Sequence, residues 1–520
     1  MVIIIYSAET EKSIVANIGA PEYSYYFVLK KFLAVLYKLA HIVEVRNPEQ
    51  EVDVNYNECQ KRGEGCLFFS FSPPYKTVTG LQCPTISVFA WEYMTIPTDT
   101  WSENPHNDWR NVLRKHGCAI THSSFAVRAV QKAMGSDFPV WSIPAPVWDD
   151  YTKFYRKEKH SAQSKGFDLS FKGRLIDFHG CEAPYISEDI QNDFIEKRTY
   201  PKKGEKISLH LKGIIYTSVF NPGDGRKNWE DMLKGFIWAF REFEDATLVL
   251  KVVYHDFEEA RKFLINEILM LMPFKCRVVI LHGYLNDHEY TKLIRATTYV
   301  VNTAHGEGQC LPLMEYMSAG KPAIAPAHTA MEDYINEHNA FVVKSSVEWT
   351  HWPHDPRAAL RTLRYRINWE SLYHAYLESY SVAKNDPVRY LRMSRCAVES
   401  LKEYCSKKVV KKRLKIVFRE VGVPKEGLLI SAYRKIWRAT LRSRRLWKTL
   451  CVRLFSRIRS FFREAMIAGP LRLLTFSRNF YARFKKSIVK MIQILNSVSC
   501  SLLFQESNAW YPTLQLFNHI

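Results

Sequence analysis

The 520 residues carry a formal charge of +20, with hydrophobic residues at 47% and aromatic residues at 14%. This apolar content excludes wholesale disorder, and the length is too great for one core, so two or three domains are expected. The charge is uneven: residues 425–520 hold 18 Lys and Arg against only Glu426, Glu464 and Glu506, so the rest of the chain has the balance of an ordinary soluble enzyme.

In chain order, "VIIIYS" (2–7) predicts a buried strand, and a helical pattern runs from Tyr23 to Leu39. "HIVEV" (41–45), "CLFFSF" (66–71), "TISVFAW" (85–91), "CAITHS" (118–123) and "PVWSIPAPV" (139–147) read as further strands, with "SFAVRAVQKAM" as a helix. Residues 148–207 break the rhythm: they are polar and charged around one strand or hairpin piece, "FDLSFKGRLIDFHG", and are read as an inter-domain connection with an insertion. A second series follows. It has strands at 213–220, 246–253, 277–283 and "TYVVNTA", helices over "NWEDMLKGFIWAFREF", 257–270 and 287–296, and then "KPAIAP" and "AFVVKS". From Asp355 helical material is expected. Strands alternating with helices imply mainly parallel sheets, which bind ligands at the carboxyl ends of their strands.

Eleven cysteines include no Cys-x-x-Cys pair and no Cys/His cluster at zinc spacing, so no metal site is expected. "MVIIIYSAET" has no basic lead, and no apolar run reaches about eighteen residues, so the expectation is a reduced, cytoplasmic chain without a membrane span.

The chemistry concentrates in "HGEGQCLPLMEYMSAGKP" (305–322), a turn at a strand's carboxyl end that opens a helix. Pro312 suits the first helical turn and Gly320 the C-terminal cap. A helix N-terminus offers free N–H groups and partial positive charge to a diphosphate, and Gly306 and Gly308 allow close approach of a ligand. Glu307 stands in the turn and Glu315 is placed in the first helical turn, where carboxylates accept strong hydrogen bonds from sugar or ribose hydroxyls. Two glutamates eight apart also arise by chance, and Glu315 favours the helix dipole without any ligand.

With its context, this stretch resembles the Glu-x7-Glu signature of family 4 glycosyltransferases, retaining enzymes of the GT-B fold that include builders of bacterial surface polysaccharides. The match takes in both glutamates, Leu311-Pro312, Ala319-Gly320 and Pro322. The resemblance implies an α/β fold of two doubly wound Rossmann-like domains facing a cleft. It makes 1–147 the acceptor-side domain, 208–385 the donor nucleotide-sugar domain and 386–424 a helical segment closing the core. It also implies that Glu307 contacts the donor sugar and Glu315 the ribose, with Gly306, Gly308, Cys310 and Leu311 around the donor. The family's diphosphate-clamping lysine matches Lys227. Its arginine is missing from the strand end, which reads Ser218-Val219-Phe220, so Arg226 either takes that role from a shifted loop or faces solvent. Trp91 and Glu92 fall where the family often has a His-Asp pair. They contact a sugar or an acceptor hydroxyl, or else they are packing and a capped turn. His122 ends another cleft-side strand, and Gly19 matches the Gly-bearing first loop. The implied reaction needs no metal and no cofactor beyond a UDP- or GDP-sugar as donor substrate.

Residues 425–520 form a basic amphipathic tail. Trp447, Leu450, Leu454, Phe455, Ile458, Phe461 and Phe462 share one helical face, and Arg453, Arg457 and Arg463 flank or oppose it. Such a helix, within 433–492, fits an anionic membrane surface or packs on the core. The expected function is therefore a hexosyltransferase-type enzyme at the inner membrane face with a glycan or lipid-linked acceptor. A GT-B epimerase or hydrolase and a basic nucleic-acid-binding protein are the alternatives. Nucleic acid is disfavoured because the tail's aromatics do not alternate with its basic residues.

Overall fold

The computed structural model describes residues 1–421 except 15, 21, 158–163, 182–198 and 201–205, so the basic tail and its expected membrane contact lie outside the described residues. The first sheet contains β1 (Val2–Ser7), β2 (His41–Glu44), β3 (Cys66–Phe71), β4 (Thr85–Phe89), β5 (Ala119–Thr121) and β6 (Val140–Ser142). All pair in parallel, in the order β2-β1-β3-β4-β5-β6. β3 and β4 are buried at every position, as continuous apolar runs require when helices cover both faces. β4 is two residues shorter than expected, so Ala90 and Trp91 already belong to the loop leaving the sheet. The first helix ends at Leu36 rather than Leu39.

The second sheet is larger. It draws on β7 (Ser164–Lys172), β8 (Arg174–Cys181), β9 (Thr199–Tyr200), β10 (Lys206–Phe220), β11 (Ala246–Val252), β12 (Phe274–His282), β13 (Tyr299–Val301), β14 (Ala323–Ala325) and β15 (Ala340–Val342). Its order is β15-β14-β13-β10-β11-β12-β8-β9, with β7 paired to β10. β10 to β15 are parallel; β7 and β8 run antiparallel to β10 and β12. The strand piece expected at 167–180 is thus two strands, which join the second sheet through β10 and β12 rather than standing apart in a connection. The reason is in its alternation: Leu169 and Phe171 are buried in the same apolar cluster as Leu209 and Leu211, while Asp168 is largely exposed.

The helical material expected from Asp355 begins only at Trp369, because a strand comes first. Ser345–Thr350 (β16) and Thr362–Ile367 (β17) pair as an antiparallel ribbon, with Glu348 opposite Arg364 and joined to it at 2.7 Å. Helices Trp369–Asn385, Pro387–Cys405 and Lys407–Glu420 follow. The last two return to the first sheet: Ala397, Leu401, Leu414 and Val417 are buried in a cluster with Ile3, Phe69 and Val88. The same cluster takes in Val300 and Ala323 from the second sheet and Leu313 from the helix between their strands. The class is α/β with two doubly wound, Rossmann-like sheets in the GT-B manner. They touch at their carboxyl ends, where a side chain added at Gly308 would meet Ala90 at 2.7 Å and Trp91 N at 3.0 Å.

Candidate active site

β13 ends at Val301, and the turn it feeds is pinned from several directions. Asn302 Oδ1 accepts from Ala304 N at 3.0 Å, His305 N donates to Arg226 O at 2.8 Å, and Glu307 N donates to Thr329 Oγ1 at 3.0 Å. Glu307 is only 3% exposed, which is costly for a carboxylate unless it is paired. It is paired: Lys227 Nζ lies 2.8 Å from Oε1 and 3.0 Å from Oε2, Arg226 Nη1 donates to Oε2 at 3.1 Å, and Asn302 Nδ2 donates to Oε1 at 2.9 Å. Burial pushes the Glu307 pKa up, but Lys227 and Arg226 outweigh it and hold the group at about 2. The carboxylate is therefore ionised at neutral pH.

Arg226 sits on a short 3-10 turn, Gly225–Lys227, just past β10. Asp224 caps that turn by accepting from Arg226 N at 3.2 Å and holds the guanidinium through Nη2 at 2.8 Å. Nη1 also donates to Gly306 O at 2.5 Å, and Nε lies 3.1 Å from Glu92 Oε1, across the junction between the sheets. The shifted loop thus delivers the arginine to the Glu307 turn, and the solvent-facing alternative is excluded. The Glu92 side chain is 16% exposed, and its partial burial raises its pKa against the pull of Arg226.

The other expected residues divide. Trp91 is 4% exposed, its indole N–H donates to Thr95 O at 2.9 Å, and its ring lies 4.5 Å from that of Trp109; this is the packing alternative, with no face left to stack on a sugar. Gly19 adopts φ +75° and presses on the carboxyl end of β11, where a Cβ would come within 2.6 Å of Val253 O; Asn221 Nδ2 also donates to its carbonyl at 3.2 Å. His122 is fully buried with Nδ1 3.0 Å from Ile143 O, and burial lowers its pKa to about 4. It makes no contact with the Glu307 set, while Ser123 beside it caps helix Ser124–Met134. Cys310 takes φ +61° at the N-cap of helix Leu311–Ser318, and its Sγ is 3.1 Å from Asn302 Nδ2. Burial pushes its thiol pKa up, so it is not a nucleophile.

Glu315 is the fifth residue of that helix, not a member of the first turn, because the helix begins at Leu311 with Pro312 second. It stands apart from the Arg226–Lys227 pair. Oε1 accepts from Tyr151 OH at 2.9 Å and Oε2 from Tyr290 OH at 2.8 Å, while Lys31 Nζ lies 3.7 Å from Oε1. Burial raises its pKa despite Lys31 and the two tyrosines. Asp224, Asn302, Lys31, Tyr151 and Tyr290 were not foreseen. Only Asn302 leaves a trace, as a polar residue where the apolar strand "TYVV" ends.

Among the described residues, no group of three or more His, Cys, Asp or Glu is placed to hold a metal ion, and no helix is long and apolar enough to cross a membrane. A cavity of about 620 Å3 opens between Lys172–Arg174, His255–Glu258 and His282, away from the Glu307 turn. Two of its charged groups, Arg174 and Glu258, are paired to each other, and none of its lining residues belongs to the Glu307 set.

Residues 225–356 match the model of the glycosyl transferases group 1 family. That segment contains Arg226, Lys227, Glu307 and Glu315, and the match supports a glycosyltransferase. No curated protein matches the sequence. Solved structures similar to the chain include a TarM mutant of S. aureus in complex with fondaparinux, alpha-GlcNAc-glycerol and UDP, at 10% identity and TM-score 0.40, covering 68% of this chain and 55% of that one. Another is the pneumococcal O-GlcNAc transferase GtfA with UDP and GlcNAc, at 12% identity and TM-score 0.40, covering 70% and 59%. A third is HepE of Anabaena with UDP, at 11% identity and TM-score 0.45, covering 81% and 99%. The chain thus spans less than two thirds of the TarM and GtfA structures.

Proposed function

We propose that the chain is a retaining glycosyltransferase that moves a sugar from a UDP- or GDP-sugar to a glycan or lipid-linked acceptor, without a metal ion. The observation that carries this reading is the convergence of Arg226 and Lys227 on Glu307 where the carboxyl ends of the two sheets meet. As the bond to the leaving diphosphate breaks, negative charge grows on its oxygens and positive charge on the sugar. Arg226 and Lys227 stabilise the first, in a site that excludes most water. The ionised Glu307 orients the sugar and stabilises the second. Arg226 adds a planar fork suited to two phosphate oxygens at once, which Lys227 cannot supply. Glu315, already positioned by Tyr151 and Tyr290, retains lone pairs for ribose hydroxyls. Docking of the basic segment 433–492 on an anionic membrane would bring the site to a lipid-linked acceptor.

The test is release of nucleoside diphosphate from a panel of UDP- and GDP-sugars, with the anomeric configuration of the product read by NMR. Lys227→Ala should lower turnover by about 100-fold or more. Turnover unchanged in that variant, or an inverted product, would remove the proposal.

A further inference from the structure

Buried polar side chains without a partner are rare, because each gives up its bonds to water and receives nothing in return. One such side chain, and one ring nitrogen of another, bracket Glu307. Gln309, two residues on, is 4% exposed, and neither Oε1 nor Nε2 has a hydrogen-bond partner. His328 is 3% exposed with Nε2 unpartnered. It precedes Thr329, whose hydroxyl accepts from Glu307 N.

Neither group is free to relax. Tyr334 OH donates to Gln309 O at 3.0 Å, Cys310 is held at φ +61° on one side, and Gly308 presses on Ala90 on the other. The His328 ring is stacked on Tyr365 at 4.4 Å and 9°, with Nδ1 3.4 Å from Thr329 Oγ1. The backbone thus keeps two unused polar groups beside an ionised carboxylate.

We infer that Gln309 and His328 are the specificity-determining residues of the donor site, reading hydroxyls of a neutral sugar such as a hexose or N-acetylhexosamine. The inference rests on the donor-site reading above. A primary amide both donates and accepts, and an imidazole nitrogen does one or the other according to its tautomer, so the pair matches hydroxyl and acetamido groups. A uronic acid fits less well, since neither an amide nor a neutral imidazole balances a carboxylate's charge, and Arg226 and Lys227 are already engaged by Glu307. Sites built to bond a hydroxyl discriminate strongly, because the analogue lacking it leaves them unpaired again.

The test uses the full chain and calorimetry with UDP, GDP, UDP-glucose, UDP-galactose, UDP-N-acetylglucosamine, UDP-glucuronic acid and GDP-mannose. For wild type, the account expects one neutral nucleotide sugar to bind more tightly than its bare nucleotide, and UDP-glucuronic acid to gain nothing. Gln309→Met and His328→Phe each keep the shape and should reduce that sugar increment about tenfold, leaving bare-nucleotide affinity within about twofold. Gln309→Met should not lower the melting temperature, since the amide removed has no partner in the fold, and His328→Phe gives up only the long Nδ1 contact with Thr329 and should lower it little. A full sugar increment in both variants, a parallel loss of bare-nucleotide affinity, or a melting temperature sharply lowered in both variants overturns the inference. No nucleotide binding by folded wild type would instead overturn the donor-site reading on which it stands.

Discussion

Arg226 is shared among three carboxylates, those of Asp224, Glu92 and Glu307, and Lys227 adds the second cation. A diphosphate brings further negative charge to a guanidinium whose donors are already engaged, so it must compete with at least one of them. Glu92 is the weakest holder: it comes from the other sheet, and its pKa is raised by burial, so its charge is the most costly to keep. Glu92→Gln should therefore tighten UDP or GDP binding by about three- to tenfold at neutral pH, of the order expected for one buried charge pair. The advantage should fade as the pH is lowered through the raised Glu92 pKa, where the wild-type residue is also neutral. Calorimetry across pH measures this, and weaker binding in the Gln variant would show that Glu92 helps the donor rather than competing with it. Glu307 and Lys227 were legible in the sequence because each sits in a fixed local frame, a strand end running into a turn. The orientation of Arg226 was not, since it depends on Glu92 and Gly306, which are remote from it in the chain. Tyr151 and Lys31 were invisible for the same reason: nothing near them in sequence announces that they reach Glu315.

The turn and helix from Asn302 to Gly320 work as one piece. Its glycines let backbone meet backbone, since a Cβ at Gly306 would stand 2.8 Å from Glu92 O and one at Gly308 2.7 Å from Ala90 Cβ. The neighbour at Gly308 is a packed alanine and a backbone nitrogen, neither able to swing aside. Gly308→Ala should destabilise the protein by about 1–3 kcal/mol through overpacking, and urea unfolding would show it; an unchanged midpoint would mean the two sheets part easily. The alternation of helices and strands was read well because the strands are apolar runs and the helices have caps and amphipathic faces. The β16–β17 ribbon was missed. Its strands mix serine, charge and aromatic residues, and Pro353 and Pro356 in the intervening loop gave no strand signal. Contacts remote in sequence tie the ribbon and its loop to the first domain, where Met94 N donates to Leu363 O at 3.2 Å and Trp352 stacks on Trp101.

At the scale of the molecule, the carboxyl ends of both sheets converge on one locus, and the chain crosses back so that its last described helices pack on the first sheet. The first domain is legible from its strands, and the strand piece at 167–180 from its alternation, but its place in the second sheet beside β10 and β12 is not, because charged flanking segments give the pairing no local signal. The central claim is that this locus binds a nucleotide diphosphate through Lys227 and Glu315. The most direct measurement is calorimetric titration of UDP, GDP and ADP into wild type, Lys227→Ala and Glu315→Ala. The account predicts that one nucleotide binds wild type and that each substitution weakens it about tenfold or more, as loss of a charged hydrogen-bonding partner should. Binding unaffected by either substitution, or no binding to a folded wild-type chain, would contradict it.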